Sequence, residues 1–390
     1  MSITKAENTL EKLSVGSKEI MAARVAFFLP GFVISTWAPM IPMVKARLNL
    51  EADVLGLLLL CIGISAFICM PLVGALVQRF GCKKVVITGA TLMALVSVLL
   101  SCLPDILTYA IALAFFGAVT GITDVSINTN AVIVEKLAGR RLLSGMHAFW
   151  SIGCFASAGM FSVLASLGLD VTLIAALHCT IVLALLAVFG RHLLNYKSPG
   201  GEKAFAIPRG IVIILGILAC ITFLVEGAIM DWSGVLLTEV KNIDIALAGT
   251  GYAIFSVAML IMRLLGDKTV QFLGEEKAVI GGSLVTAAGF ALLVVVDNLY
   301  LNAFAFILIG LGCANIVPVF YSLLKHQKAM PISAAVTAIT SLGYTGVILG
   351  PALLGFVAHG INISAVFELI ALLLIIEAAI AKYVFCKLKI

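Results

Sequence analysis

Acidic side chains within long apolar stretches are the residues of this chain whose chemistry is easiest to interpret. Asp124 lies in the apolar stretch 106–134, with Thr120 and Asn128 four residues to either side of it. Because positions i, i+4 and i+8 share one face of an α-helix, these three side chains would form a polar stripe. A carboxyl group deep in a membrane-spanning helix is costly and points to a proton or solute site. A structural interpretation also stays open, in which Asp124 hydrogen-bonds backbone or amide groups to fix helix packing.

Two further acidic residues, Glu226 and Asp231, lie in the apolar stretch 210–238. Five residues advance a helix by about 7 Å and turn it by about 500°, so the two side chains would point roughly 140° apart. Only one of them can therefore face a given site. The alternative role for Asp231 is to anchor the outer end of the helix beside Trp232.

Weaker candidates are aromatic or amide side chains in the same kind of stretch. Trp37 and Trp232 could stack on a sugar or a flat drug, or could anchor helices at the membrane interface. His147 could relay protons, because the pKa of histidine is near neutrality, or could serve packing alone. Asn315 and Tyr321 are candidates for polar contacts with a solute, with packing as the alternative.

The elements that must position these side chains are predicted to be transmembrane helices. Of the 390 residues 62% are apolar and 12% are charged, and the mean hydropathy is +1.18. In soluble domains about 45–50% of the residues are apolar and about 25% are charged. A helix that crosses a membrane needs about 20 apolar residues. We therefore expect an all-α membrane protein with twelve transmembrane helices and a polar tail over residues 1–20. The apolar stretches lie near 21–44, 53–78, 85–103, 106–134, 144–168, 171–190, 210–238, 246–265, 278–296, 299–324, 331–358 and 362–385.

The basic residues predict which loops face the cytoplasm. If the N-terminus is cytoplasmic, all but three of the 25 Lys and Arg residues fall on the inner side, the exceptions being Lys45, Arg47 and Lys241. The positive-inside rule then places both termini in the cytoplasm. The net charge of +5 comes from these loops, which argues against nucleic-acid binding.

Catalytic and metal-binding patterns are missing from the sequence. The nine cysteines contain no CxxC pair, and eight of them lie in apolar stretches, so neither a zinc site nor a disulfide framework is expected. The helices contain no HExxH or GxSG motif. We expect no cofactor, no metal and no enzymatic activity.

A polar segment at 195–209, with prolines and glycines, divides the chain into two halves of six helices. We expect an N-terminal bundle over 21–194, a cytoplasmic linker over 195–209 and a C-terminal bundle over 210–390. Residues 77–84 align with 270–277 at an offset of 193, which indicates an internal duplication.

The loop between helices 2 and 3 carries a family resemblance. The run Gly74-Ala75-Leu76-Val77-Gln78-Arg79-Phe80-Gly81-Cys82-Lys83-Lys84 resembles the signature of the major facilitator superfamily, with Gln78 in place of the expected aspartate. The second half has Arg263-Leu264-Leu265-Gly266-Asp267 at the equivalent loop. The resemblance implies two six-helix bundles and gating loops that contain Gly74, Gln78, Arg79, Gly81, Lys83, Arg263, Gly266 and Asp267.

Three other runs resemble a bacterial branch with MosC-like membrane proteins and, more distantly, the fucose permeases. They are residues 123–128, residues 226–233 and the glycines of 343–351. The resemblance implies that helices 1, 4, 7 and 10 line a central cavity and that an acid in helix 4 is functional. It also implies that helix 12 is peripheral, so Glu368 and Glu377 are expected to be structural or oligomer-facing.

The expected function is secondary transport across the membrane. No Lys or Arg lies in the middle of a predicted span, which favours a small neutral, sugar- or polyol-like solute, or a cationic one. Asp124 and Glu226 have no obvious basic partner in the sequence and are expected to carry protons. We expect a monomer that works by alternating access with small-molecule substrate, protons and the lipid bilayer as partners. Proton-coupled efflux of drugs or metabolites is the alternative, and a receptor or channel is a third, less favoured class.

Overall fold

The computed structural model describes residues 14–37, 40, 44, 47–48, 52–197, 208–243 and 250–388. Most of the predicted tail and most of the predicted linker, residues 1–13 and 198–207, lie outside this set. Within the described residues all regular secondary structure is helical. The prediction of an all-α protein is therefore confirmed.

Twelve helical segments follow the twelve predicted stretches along the described part of the chain. They are α1 (Ser17–Trp37), α2 (Ala52–Cys69, Met70–Leu72 and Val73–Phe80), α3 (Cys82–Cys102), α4 (Ile106–Ala138), α5 (Leu143–Ser166), α6 (Val171–Phe189, then Gly190–His192), α7 (Ile211–Val235, then Leu236–Val240), α8 (Thr250–Leu273), α9 (Glu275–Val295), α10 (Leu299–Cys313 and Ile316–Leu323), α11 (Ile332–Gly360) and α12 (Ile363–Leu388).

Eleven of these segments are long and apolar enough to cross a membrane, counting only described residues. The exception is α8, whose second half carries Arg263, Asp267 and Lys268. The helix continues well past the predicted apolar stretch 246–265, so it includes residues that the sequence places in a loop.

The chain forms two compact units. The first contains α1 to α4, most of α5, α6 and the short segment Pro331–Thr337. The second contains the segment Arg141–Gly145, α7 to α10, the rest of α11 and α12. Each unit holds its own set of buried polar side chains.

Polar N-caps begin several helices. The Asp105 carboxylate accepts from the Thr108 N–H at 2.9 Å at the start of α4. The Asp170 carboxylate accepts from the Thr172 N–H at 2.8 Å at the start of α6. These backbone donors lower the pKa of both carboxyls, because they stabilise the charged form. In the second unit an amide, Asn298, caps α10.

Small residues set the position of α4 in the first unit. A Cβ added at Gly121 would lie 2.7 Å from the Ala66 carbonyl oxygen, and one at Gly117 would clash with the Ile62 carbonyl. Across the helix, a Cβ at Gly89 of α3 would clash with the Thr123 hydroxyl. These contacts bring the backbones close and leave α4 little freedom to rotate, which fixes the face that carries Asp124.

In the second unit α10 is interrupted at Ala314 and Asn315. Pro318 has no N–H to donate to the carbonyl of residue 314, so one helical hydrogen bond is missing at this point. The interruption leaves the Ala314 carbonyl open to another donor.

Candidate functional site

The predicted polar stripe exists on α4 and is buried in the first unit. Thr120 donates to the Phe116 carbonyl at 2.8 Å. The Asn128 amide nitrogen lies 2.9 Å from the Asp124 carbonyl and 3.3 Å from Asp124 Oδ1. The structure thus brings Asp124 and Asn128 into contact, with Thr120 one turn away and Asp124 only 9% exposed.

Glu226 of α7 has a basic partner, which corrects the sequence interpretation. The Arg263 guanidinium lies 3.3 Å from Glu226 Oε1, and the two side chains are 10% and 25% exposed. The expectation that Glu226 lacks a cation was wrong because α7 and α8 pack with Arg263 facing Glu226, a contact that the order of residues in the chain does not reveal. Residues 37 positions apart on neighbouring helices give no local pattern that would reveal the pair.

The same guanidinium also contacts the backbone of α10 at the point where that helix is interrupted. Arg263 Nε donates to the Ala314 carbonyl at 3.4 Å, the group that Pro318 leaves without its helical donor. Asn315 is buried beside it, and a Cβ at Gly266 would clash with the Asn315 side chain. Gly266 therefore keeps space for Asn315.

Asp231 and Trp232 lie near the end of the α-helical part of α7, away from the ion pair. Asp231 is exposed, whereas Trp232 is half-buried with its indole close to Gly355. Its Nε1 is buried and has no acceptor among the described residues. The structure therefore separates Glu226 from Asp231, as their angular spacing predicts.

The remaining candidates pack within the units. In the first unit Trp37 is buried 5.8 Å from the Tyr109 ring, and the His147 ring lies 4.9 Å from that of Phe27. In the second unit the Tyr321 hydroxyl lies 2.7 Å from the Thr340 hydroxyl.

The first gating segment packs against the end of α6. Gly74, Gln78 and Arg79 lie on the last part of α2, and Gly81 follows with φ 85°. The Cys82 N–H donates to the Tyr196 carbonyl at 2.7 Å, and Lys83 Nζ donates to the Arg191 carbonyl at 2.5 Å.

The second gating segment is helical. Arg263, Gly266 and Asp267 lie within α8, just as Gly74, Gln78 and Arg79 lie within α2, so the assignment of these six residues to loops was wrong. Asp267 Oδ1 accepts from the Gly145 N–H at 3.1 Å. The chain turns at Gly274, whose φ of 84° matches the 85° of Gly81 at the predicted offset of 193.

The two turns also share a backbone hydrogen bond. The Gly81 N–H donates to the Val77 carbonyl and the Gly274 N–H to the Val270 carbonyl, both at 2.9 Å. The same geometry at the same offset supports the internal duplication.

Glu275 is a buried acid that the sequence did not single out, and Glu377, expected to be structural or oligomer-facing, is too deeply buried to face a partner chain. Glu275 pairs with Arg141 and lies 3.5 Å from Lys325 Nζ, all within the second unit. Glu377, expected to be peripheral, is fully buried and hydrogen-bonded to Thr222 and Ser283. Neither set of partners follows from spacing along the chain.

Comparisons with known proteins agree with this architecture. Residues 25–323 match the family model of the Major Facilitator Superfamily. An uncharacterized MFS-type transporter of Yersinia pestis is 40% identical over 370 residues, which cover 95% of this chain and 96% of that protein. The membrane protein MosC of Rhizobium meliloti is 28% identical, covering 92% of this chain and 89% of MosC.

Solved structures share the fold. The E. coli fucose:proton symporter FucP matches with a TM-score of 0.75 at 15% identity, covering 94% of this chain and 98% of FucP. The proton:xylose symporter XylE matches with a TM-score of 0.71 at 14% identity, covering 96% and 95%. The chain therefore belongs to the Major Facilitator Superfamily: it is a multi-pass membrane transporter and not an enzyme.

Proposed function

We propose that the protein is a proton-coupled secondary transporter that moves a small neutral, sugar- or polyol-like, or cationic solute by alternating access. Asp124 carries the coupled proton. The observation that carries this proposal is the buried polar stripe of Thr120, Asp124 and Asn128 on α4. An intramembrane carboxyl group held by an amide on a tightly packed helix is suited to gain and lose a proton.

The comparison with Glu226 supports the choice of Asp124. The Glu226 carboxylate faces the Arg263 guanidinium, so loss of its charge would leave the guanidinium without its carboxylate. This arrangement suits a lasting ion pair better than a proton carrier.

The proposed solute class follows from the charges and hydrogen-bond acceptors of the buried polar side chains. The positive charge of Arg263 is matched by Glu226, which leaves little to attract an anion. Asn128 Oδ1 is buried and has no hydrogen-bond donor among the described residues. A solute hydroxyl or ammonium group could supply that donor.

The setting of the transporter is part of the proposal. We place it in a bacterial cytoplasmic membrane as a monomer, with both termini and the linker 195–209 in the cytoplasm. The bundles 21–194 and 210–390 are the two halves that alternate. The loop charges support this orientation, and the relatives named above come from bacteria.

The test first needs a ligand. Purified protein is screened by thermal shift against sugars, polyols, nucleosides, amino acids and lipophilic cations, because a ligand that binds the native state raises the melting temperature. Phosphorylated sugars and dicarboxylates serve as the negative set. A saturable shift by an organic phosphate alone would refute the solute class.

The coupling role is then tested with the ligand found. Asp124→Asn, which mimics the protonated acid, should abolish proton-driven accumulation in proteoliposomes while it preserves ligand binding. Glu226→Gln should reduce accumulation less. If the Asp124→Asn protein still moves protons with its substrate at the wild-type ratio, Asp124 is structural and the role passes to Glu226 or Asp231.

A further inference from the structure

A second kind of buried acid lies in the interior of the second unit. Glu377 of α12 is 0% exposed. Its Oε1 lies 2.7 Å from the hydroxyl oxygen of Thr222 in α7, and its Oε2 lies 3.3 Å from that of Ser283 in α9. Thr222, Ser283 and Glu377, which we call the carboxyl clamp, join three helices through one side chain.

The surroundings of Glu377 disfavour its ionised form. Among the described residues no Lys, Arg or His forms a salt bridge with it, in contrast to Glu226 and Glu275. Two hydroxyl groups supply hydrogen bonds but no opposite charge. An ionised carboxylate that is out of contact with water and without a cation is strongly disfavoured.

The hydrogen count favours the neutral acid. The Thr222 hydroxyl has one hydrogen but lies near two acceptors, Glu377 Oε1 and the Leu218 carbonyl at 3.2 Å. If Glu377 is protonated on Oε1, it donates to Thr222, and Thr222 donates to Leu218. Ser283 then donates to Oε2. In this arrangement three hydrogens make three hydrogen bonds, whereas the ionised carboxylate would only accept from Thr222 and Ser283, which makes two.

We propose that Glu377 is a resident proton-binding site: the folded unit holds it as a neutral carboxylic acid that donates to Thr222. Thr222 and Glu226 are four residues apart on α7 and share one face. The carboxyl clamp thereby fixes the rotation of α7 and acts as a positioning group for the Glu226–Arg263 pair. This proposal does not rest on proton-coupled transport.

Infrared spectroscopy of the full-length protein in detergent tests the bound proton directly. The wild type at neutral pH should show the C=O stretch of a protonated carboxylic acid, shifted in ²H₂O. The difference spectrum between wild type and Glu377→Gln should contain this band. Glu368→Gln is the matched control, because Glu368 lies exposed on the same helix and its removal should not change the band. If the Glu377→Gln protein shows the same acid band as the wild type, at full intensity, the proposal is overturned.

Thermal unfolding tests whether the carboxyl clamp stabilises the packing of α7. The positioning role is tested by combining Thr222→Val with Glu226→Gln, because the two losses should not add if the clamp positions the ion pair, and strict additivity would contradict it. Gln is neutral and can donate its amide to Thr222 while accepting from Ser283, so Glu377→Gln should melt within a degree or two of the wild type. Glu377→Ala and Thr222→Val should lower the melting temperature by several degrees. If Glu377→Ala does not fold, Thr222→Val still carries the comparison. Destabilisation by Glu377→Gln as large as that by Thr222→Val would mean that the carboxylate charge is needed, which contradicts the proposal.

Discussion

The acidic residues of the two units differ in what faces them. In the first unit Asp124 lies on the uninterrupted α4 and accepts a hydrogen bond from the Asn128 amide. In the second unit Glu226 faces the Arg263 guanidinium, which also reaches the interrupted α10. Burial alone therefore does not define the role of an intramembrane acid. For Glu226 the neighbour is a guanidinium, so loss of the carboxylate also removes the anion that pairs with Arg263.

The largest expected effect is a difference in the free energy of unfolding between variants of the two acids. Glu226→Gln should lower the free energy of unfolding by about 3 kcal/mol, because it leaves a buried guanidinium without its carboxylate. Asp124→Asn should change it much less, since the new amide keeps the size and polarity of the side chain. Denaturant or thermal unfolding of purified protein measures both.

The matched control for this prediction removes both charges. Glu226→Gln combined with Arg263→Met should recover a large part of the lost stability, because no unmatched charge remains. Equal destabilisation by Asp124→Asn and Glu226→Gln would break the comparison.

An intermediate loss of stability is expected when alanine replaces the glycine in either of the two turns, Gly81 or Gly274. Gly81→Ala and Gly274→Ala both force a side chain into a backbone region that is nearly restricted to glycine, at a cost of about 1–3 kcal/mol. Gly81→Ala should be the more harmful, since its Cβ would lie 2.8 Å from Asn195 Oδ1, whereas nothing lies within 4 Å at Gly274. The difference between the two melting temperatures is the measurement, and a greater loss for Gly274→Ala would contradict it.

The smallest effect concerns the helix caps and their pH dependence. Asp105 caps α4, and Asn298, which lies 193 residues later, caps α10. The pKa of Asp105 and that of Asp170 are lowered in the folded state. Their stabilising contribution is therefore complete above the unfolded-state value of about 4 and is lost as the pH falls through the folded-state pKa.

The doubly substituted protein Asp105→Asn/Asp170→Asn isolates this contribution. Its melting temperature should differ from that of the wild type at neutral pH, and the difference should shrink below about pH 4, where the wild-type carboxyls take up protons. The amide cap of the second unit, Asn298, should show no such dependence. A difference that stays constant with pH would show that the charge of the caps does not contribute.

The sequence predicted whatever depends on residues close together in the chain. The i, i+4 spacing identified the stripe of Thr120, Asp124 and Asn128, and hydropathy located all twelve helical segments. The offset of 193 anticipated the matching backbone at Gly81 and Gly274.

What could not be predicted depends on contacts between helices. The pairing of Glu226 with Arg263 required the packing of α8 against α7, which hydropathy and spacing along the chain do not give. The carboxyl clamp required the rotation of α7, α9 and α12 about their own axes, which packing of the whole unit determines. Trp37 and Trp232 were given the same two candidate roles, yet one is buried against Tyr109 and the other is half-buried near Gly355.

The interruption of α10 has an electrostatic consequence. Aligned peptide dipoles give the carboxyl end of a helix a partial negative charge of about half an electron. The first part of α10 ends at Cys313, so its negative end lies beside Arg263, which contacts the next carbonyl. Unlike Glu226, this partial charge cannot be titrated. Arg263 thus keeps a partly negative neighbour at every pH, which adds to the Glu226 carboxylate without replacing it.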